Sequence, residues 1–288
     1  MKYAVILPSG MFPAGGKPSA LLHWGLTPTP STSRLKVCAV SYLNTVPLVW
    51  GMLHGPQRGR FLVDFRVPSG CADELASGAA DIGIVPAFEL SRQDLDILPG
   101  AGIACRGAVR SILLVSRCPA EQIRTLAADI SSRTSVQLAR VVLGRKFGAA
   151  PEIRPHEPCL EAMLETADAA LLIGDPALRV EAESLPFHSY DLGAEWAHMT
   201  GLPMVFAVWA ARKGIVTPEL CEEFRASCRY GLAHIDDIVA AEAPQRGFHP
   251  GLVREYLTRN IVHELGPAEY EAMREFLRMA AKHTVDAR

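Results

Sequence analysis

Small polar side chains gather at four points where an apolar strand-like run gives way to a helix-competent segment or a loop. The four points are Ser41 to Thr45 in VCAVSYLNTVPLVW, Ser111 in GAVRSIL, the run DISSRTS at 129–135 and the turn IGDP at 173–176. Hydroxyls, an amide and unpaired backbone N–H groups at a helix start suit a small anion, because that end carries partial positive charge. Helix caps use the same residue types, so a single junction is more often a cap than a ligand site.

Four such junctions together favour a ligand site over caps alone, since ligands of open α/β sheets bind at the carboxyl ends of the strands. Arg110 and Arg133 have guanidinium groups that match carboxylate geometry, although either could be a surface residue. His156, His188 and His198 are isolated and show no metal-ligand spacing. Neither GxGxxG nor GxxxxGK[ST] occurs, so the sequence contains no nucleotide-binding loop of those types.

The totals are typical of a globular protein without a nucleic-acid or membrane partner. The chain has 288 residues, of which 49% are hydrophobic and 21% charged, and its formal net charge is -2. No apolar run reaches the roughly 18 residues that a spanning helix requires. Its seven cysteines form no CxxC pair or Cys/His cluster. We therefore expect no disulfide framework and no metal site, and a reducing, cytoplasmic setting is favoured.

Short strands and helices must position these junctions. Apolar runs predict strands at 35–40, 61–67, 81–85, 97–105, 111–115, 127–130, 169–173, 189–192 and 203–211. Helices are expected at 47–54, 70–78, 119–126, 134–147 and 158–164. Beyond them Thr217-Pro218-Glu219 is a helix start, followed by one apolar stripe from Leu220 to Val239 at spacings of three or four. Gly266-Pro267 introduces the last helix.

Two sets of α/β units predict two lobes with a ligand cleft between them. The expected first lobe comprises 35–110 and 206–288, and the second lobe comprises 111–205. Residues 1–34 contain several Pro and Gly and lack periodicity, so they are expected to be a disordered or variable extension. Their apolar run is short and interrupted by proline, which argues against an export signal.

Six segments, in order, resemble the chorismate dehydratase family of the futalosine route to menaquinone. They are SYLNTVPL (41–48), CADELASGAADIGIVPAFEL (71–90), GAVRSILLVS (107–116), DISSRTSVQLARVVL (129–143), AALLIGDPAL (169–178) and YDLGAEWAHMTGLPMVFAVWAAR (190–212). The resemblance implies a type II periplasmic-binding-protein fold working as a cytoplasmic enzyme. It also implies conversion of chorismate to 3-[(1-carboxyvinyl)oxy]benzoate and water, with no metal or organic cofactor. A monomer or homodimer is expected.

The resemblance carries over to particular residues. Asn44 and Ser111 match family positions that line the substrate pocket, and they are the expected catalytic residues. The expected substrate-binding residues are Ser41, Thr45, Arg110, Ser131, Ser132, Thr134, Ser135, Gly174 and Asp175. Two proton acceptors are possible: the enolpyruvyl carboxylate of the substrate, or a protein base, with Asp175 and His198 as candidates.

Two other functions fit the same fold, because fold alone does not fix function. A solute-binding protein of an uptake system would need an export signal or a lipid-attachment cysteine near its start, whereas the first cysteine, Cys38, lies inside the first predicted strand. A sister family makes dihydroxynaphthoate in the same route. That family has a different junction in place of SYLNTVPL and uses a catalytic histidine, so the sequence matches the dehydratase pattern better.

Overall fold

The structure is a computed structural model that describes residues 34–285, with side chains to residue 282. The extension expected over residues 1–34 lies outside the described residues, apart from Arg34. The described chain forms two mixed sheets that are covered by helices and build two lobes, which confirms the predicted α/β class.

The strands and helices follow each other in short units. The strands are β1 (Lys36–Val40), β2 (Leu62–Arg66), β3 (Ile82–Pro86), β4 (Leu95–Cys105), β5 (Ile112–Ser116), β6 (Thr125–Asp129), β7 (Glu152–His156), β8 (Ala169–Ile173), β9 (His188–Asp191), β10 (Met204–Arg212) and β11 (Val262–Glu264). The helices are α1 (Val46–His54), α2 (Pro68–Ser77), α3 (Thr134–Phe147), α4 (Leu160–Thr166), α5 (Gly174–Leu178), α6 (Leu192–Thr200), α7 (Pro218–Ala233), α8 (Ile235–Arg246), α9 (Pro250–Glu255) and α10 (Pro267–Val285). A π-helix, Tyr256–Asn260, continues α9.

Strand pairing brings particular strand ends together in each lobe. The first lobe has the order β11-β4-β10-β3-β1-β2, and β10 runs antiparallel to β3, so that Ala207 lies opposite Pro86. The second lobe has the order β7-β6-β8-β5-β9, and β5 runs antiparallel to β8, so that Ile112 lies opposite Ile173. The start of an antiparallel strand therefore lies beside the carboxyl end of its neighbour, where the polar junctions are.

The long strand β10 lies between β4 and β3 and anchors the first lobe. Eight of its nine residues are buried, which explains the uninterrupted apolar run in the sequence, because a strand covered on both faces has no solvent side. Trp209 at its centre is fully buried and makes an edge contact with Phe224, with 4.8 Å between the ring centroids.

The helix predicted at 119–126 is wrong. Only Ala120–Gln122 forms a 3-10 turn, and strand β6 begins at Thr125. The reason is Asp168, whose carboxylate accepts hydrogen bonds from the backbone N–H groups of Arg124 and Thr125 at 3.0 and 2.9 Å. These bonds hold the chain extended. A local sequence pattern cannot reveal them, because Asp168 lies more than forty residues further along the chain.

The C-terminal helices follow the sequence signals in part. Thr217 caps α7 by accepting from the N–H of Leu220, as its position predicted. The apolar stripe is shared between α7 and α8, because His234 leaves the helical conformation and its ring bonds the carbonyl of Tyr230 at 2.7 Å. Helix α9, the π-helix and β11 had no counterpart among the predicted elements.

Candidate functional site

A cavity lies between the lobes, at the strand ends that carry the polar junctions. Five stretches of chain contribute to its wall: Tyr42 and Asn44, Ile112, Ser132 to Ser135, Ile173 and Gly174, and Phe206 and Ala207. Its volume is ≈ 50 Å³. The remaining wall consists of valine, proline and isoleucine side chains. An apolar wall with a few convergent polar groups is typical of a site for a small organic molecule.

Asn44 lies in a 3-10 turn directly after β1 and is held at three atoms. Its amide nitrogen donates to the hydroxyl of Tyr256 at 3.1 Å, and its Oδ1 accepts from Thr45 at 3.4 Å. His263 bonds its backbone carbonyl at 2.9 Å. No side chain caps this turn or α1. No hydrogen bond therefore supports the interpretation of Asn44 and Thr45 as helix caps. Asn44 faces the cavity instead.

Burial changes the protonation of the groups that hold Asn44. Burial raises the pKa of Tyr256 well above its usual value, although hydrogen bonds with Ser111 and Asn44 oppose the shift. Burial lowers the pKa of His263 to about 4. Both side chains are therefore neutral near pH 7, and His263 donates from Nε2 to the carbonyl of Asn44.

Ser111 and Arg110 lie beside the cavity rather than on its wall. Ser111 is fully buried, and its hydroxyl accepts from Tyr256 at 2.7 Å, while the next residue, Ile112, lines the cavity. Arg110 is exposed and adopts a φ of 64°, which is unusual for a residue with a Cβ. Its backbone N–H donates to the carboxylate of Asp191, which fixes the turn that leads into β5.

The run DISSRTS forms a polar wall at the start of α3. Ser132, Thr134 and Ser135 line the cavity together with Arg133. The amino end of a 14-residue helix thus faces the cavity and favours an anion there. The guanidinium of Arg133 is already paired with the carboxylates of Asp73 and Glu89, at 2.7 and 3.1 Å.

Ser131 is turned away from the cavity towards Asp129. Its hydroxyl donates to Asp129 at 2.7 Å and lies 3.3 Å from the hydroxyl of Tyr42. Burial raises the pKa of Asp129, which the two hydrogen bonds from Ser131 oppose. Ser131 therefore links a buried carboxyl group to Tyr42, which does line the cavity.

The turn after β8 contributes Gly174 to the cavity wall but not Asp175. Gly174 adopts a φ of 59° and packs against the ring of Tyr42. The carboxylate of Asp175 accepts from the N–H of Leu43 at 2.9 Å and forms an ion pair with Arg246, which also donates to the carbonyl of Ser41. Asp175 therefore ties the second lobe to the junction after β1.

The structure brings five of the expected site residues onto one cavity wall: Asn44, Ser132, Thr134, Ser135 and Gly174. Six others do not line it: Ser41, Thr45, Arg110, Ser111, Ser131 and Asp175. His198 lies in α6 and is also absent from the wall. Sequence reasoning did not single out Tyr42, Arg246, Tyr256 or His263.

The polar side chains on the cavity wall carry hydroxyl, amide and guanidinium groups, which suit an organic anion better than a metal ion. Across residues 34–282, no cluster of three or more His, Cys, Asp or Glu side chains is arranged to hold a metal. Within the same part of the chain, no helix has both the length and the apolar character needed to cross a membrane.

Two α/β lobes with a cavity between them are the architecture of periplasmic binding proteins. The structure is similar to the periplasmic aliphatic sulphonate binding protein SsuA from Escherichia coli, with a TM-score of 0.57, 14% sequence identity and coverage of 87% of both chains. At that identity the likeness concerns the fold alone.

Residues 35–282 match the menaquinone biosynthesis family, and the chain belongs to that family. It is 33% identical to chorismate dehydratase from Thermus thermophilus over 234 residues, which cover 75% of this chain and 84% of the relative. It is also 25% identical to chorismate dehydratase from Campylobacter jejuni over 247 residues, which cover 83% of this chain and 94% of that relative.

Proposed function

We propose that this protein is a chorismate dehydratase, a carbon–oxygen lyase that converts chorismate to 3-[(1-carboxyvinyl)oxy]benzoate and water. The observation that carries the proposal is the convergence of separated segments on one cavity, since each of the six segments of family resemblance supplies at least one residue of its polar or apolar wall. The two relatives named chorismate dehydratase support it, because the similarity extends over most of their length.

The reaction places clear demands on the site. Chorismate carries a ring carboxylate and an enolpyruvyl carboxylate, and dehydration removes a ring hydrogen and the neighbouring hydroxyl. Aromatisation drives the elimination, so the protein mainly has to hold the substrate, orient the leaving hydroxyl and exclude water. Hydroxyls and N–H groups at the start of α3 bind one carboxylate. Gly174 shapes the wall beside them, because its own N–H already donates to the carbonyl of Ser111 at 2.8 Å. Asn44 acts at the reacting end, and Ser111 contributes there through its bond to Tyr256.

The proton acceptor we favour is the enolpyruvyl carboxylate of the substrate, through a six-membered arrangement. Neither protein candidate lines the cavity. The charge of Asp175 is engaged by Arg246, and His198 lies in α6. Positioning by Asn44 and the α3 start is therefore the main catalytic contribution in this proposal.

Chorismate enters when the lobes move apart. The cavity of ≈ 50 Å³ is smaller than the roughly 300–1,000 Å³ of ligand pockets. Hinge closure around a ligand is the usual motion of two-lobed proteins of this shape. The expected cytoplasmic location is part of the proposal too, and the seven free thiols support a reducing compartment. A monomer or homodimer remains a prediction.

The test is to mix purified protein with chorismate and follow the aromatic product by chromatography and absorbance. Turnover should occur, and Asn44→Ala should lower kcat/KM by roughly 10- to 1,000-fold, the loss typical of one or two oriented hydrogen bonds. Treatment with EDTA should leave the rate unchanged. Turnover of cyclic dehypoxanthinyl futalosine instead would identify the sister enzyme, and binding without turnover would identify a solute-binding protein.

A further inference from the structure

Tyr256 is a fully buried residue whose hydroxyl joins Asn44, which the proposed function places at the reacting end of the substrate, to Ser111. The phenol oxygen accepts from the amide nitrogen of Asn44 at 3.1 Å and donates to the hydroxyl of Ser111 at 2.7 Å. Asn44 follows the first strand of the first lobe, and Ser111 precedes the first strand of the second lobe. Neither Tyr256 nor Ser111 lines the cavity, whereas Asn44 does, so Tyr256 acts on the site through Asn44.

The direction of these bonds sets the orientation of the Asn44 amide. A phenol has one proton to donate, and here it goes to Ser111. The phenol oxygen therefore accepts, and it must meet the nitrogen side of the amide. Oδ1 of Asn44 is then left facing the hydroxyl of Thr45. Because burial raises the pKa of Tyr256 well above its usual value, the phenol keeps this proton throughout the neutral pH range.

The backbone around Tyr256 is also unusual. Tyr256 begins a five-residue π-helix, and its carbonyl accepts from the N–H of Ile261 at 3.1 Å. Such turns are rare in proteins, and those that do occur are often found at functional sites. The chain then enters β11, where His263 bonds the carbonyl of Asn44. Segment 256–263 therefore holds both the side chain and the backbone of Asn44.

We propose that Tyr256 is a positioning residue for dehydration, which donates its proton to Ser111 and thereby holds the Asn44 amide in its reactive orientation without touching the substrate. This proposal rests on the proposed function for its kinetic consequence. Removal of a catalytic hydrogen-bond donor costs about 100- to 1,000-fold in kcat. Loss of the orienting hydroxyl leaves the donor present but free to rotate, so a smaller loss of about 10-fold is expected.

Tyr256→Phe removes the hydroxyl and keeps the ring. It should lower kcat by about 10-fold and change KM by less than about 3-fold, since an orientation required in the transition state is lost. The matched control is Tyr270→Phe, because the hydroxyl of Tyr270 accepts from the N–H of Gly100 at 2.9 Å and neither residue lines the cavity. Tyr270→Phe should keep kcat within about 2-fold of the wild-type value. An equal loss in the two variants would overturn the proposal.

A double-mutant cycle with Asn44→Ala separates positioning from general damage to the fold. If Tyr256 acts through Asn44, Tyr256→Phe should cause little further loss of kcat in the Asn44→Ala background. A full additional 10-fold loss there would show that Tyr256 acts by another route, and the proposal would be wrong.

A spectroscopic readout keeps this proposal separate from the proposed function. The side-chain NH2 resonances of Asn44 can be assigned by their disappearance in Asn44→Ala. They should shift in Tyr256→Phe and remain in place in Tyr270→Phe, whether or not the protein turns over chorismate. If Tyr256→Phe does not fold, Ser111→Ala frees the phenol proton and should shift the same resonances. Unchanged Asn44 resonances in the folded variant would overturn the proposal, while absent turnover by the wild-type protein would overturn only the function.

Discussion

The ion pair between Asp175 and Arg246 provides the sharpest test of how the lobes are held together. The carboxylate of Asp175 accepts from the N–H of Leu43 and pairs with Arg246, whose guanidinium also bonds Glu242 at 2.7 Å. Burial lowers the pKa of Arg246, but the neighbouring carboxylates outweigh it and raise the pKa overall. The Asp175 side chain therefore has a structural explanation that does not require it to take a proton from the substrate.

The expected magnitude follows from burial. The Arg246 and Asp175 side chains are 20% and 13% exposed, so the pair lies between a surface pair worth about 0–1 kcal/mol and a buried pair whose disruption costs about 3–5 kcal/mol. Asp175→Asn keeps an acceptor for the N–H of Leu43 and removes the charge, and we expect it to lower the free energy of unfolding by about 1–2 kcal/mol. Asp175→Ala also leaves that N–H unpaired, so a loss of about 3 kcal/mol is expected.

Urea denaturation measures these losses of stability. Chorismate turnover by Asp175→Asn distinguishes a structural role of Asp175 from a role as general base. The matched control is Glu275→Gln, which breaks a more exposed pair with Arg278 and should cost less than about 0.5 kcal/mol. If Asp175 only links the two lobes, Asp175→Asn should keep kcat within a few-fold of the wild-type value. A general base would instead show a loss of about 100-fold or more. Unchanged stability together with such a loss would refute the structural role and restore Asp175 as the base.

Two further substitutions test local features around the cavity. Burial lowers the pKa of His263 to about 4, below the ~6.5 of an unfolded chain, so the unfolded state binds more protons between these values. The free energy of unfolding should fall by up to ~3 kcal/mol as the pH is lowered from about 6.5 to about 4. Urea denaturation should show a weaker pH dependence of this free energy for His263→Gln than for the wild-type protein. An equal pH dependence in the two proteins would contradict the prediction. Gly174→Ala introduces a Cβ against the ring of Tyr42 at a φ of 59°, whereas Gly201→Ala has a similar φ of 69° and open space around it. Thermal unfolding should show a loss of stability of about 1 kcal/mol in Gly201→Ala and of at least about 2 kcal/mol in Gly174→Ala. Only Gly174→Ala should also reduce kcat/KM. Equal losses of stability in the two variants would rule out the steric explanation.

Elements whose signals are local could be predicted from the sequence. Helix α3 was expected at 134–147 and spans Thr134–Phe147, and β8 was expected at 169–173 and spans Ala169–Ile173. In both, a run of one periodicity is bounded by residues that end it. The segment 119–126 lacked such a boundary, and hydrogen bonds to Asp168 from Arg124 and Thr125 decided its conformation.

The candidate site could be predicted only as far as strand ends determine it. The polar junctions supplied Asn44, Gly174 and the start of α3 to one cavity wall, because the carboxyl ends of neighbouring strands share an edge. Which side chain at each junction faces the cavity depends on packing between lobes. Ser131 turns towards Asp129 while Ser132 lines the wall, although the two are adjacent in the sequence.

Tyr256 and His263 had no local signal at all, because their role depends on partners elsewhere in the chain. Tyr256 is separated by 212 residues from Asn44 and by 145 from Ser111. One consequence could still have been drawn from the first junction. A buried amide must be hydrogen-bonded, and an asparagine that does not cap its own helix must find its partner far along the chain. If Asn44 is a site residue and not a cap, its side chain and its carbonyl need hydrogen-bond partners from elsewhere in the chain. Tyr256 is the partner of its side chain, and His263 is the partner of its carbonyl.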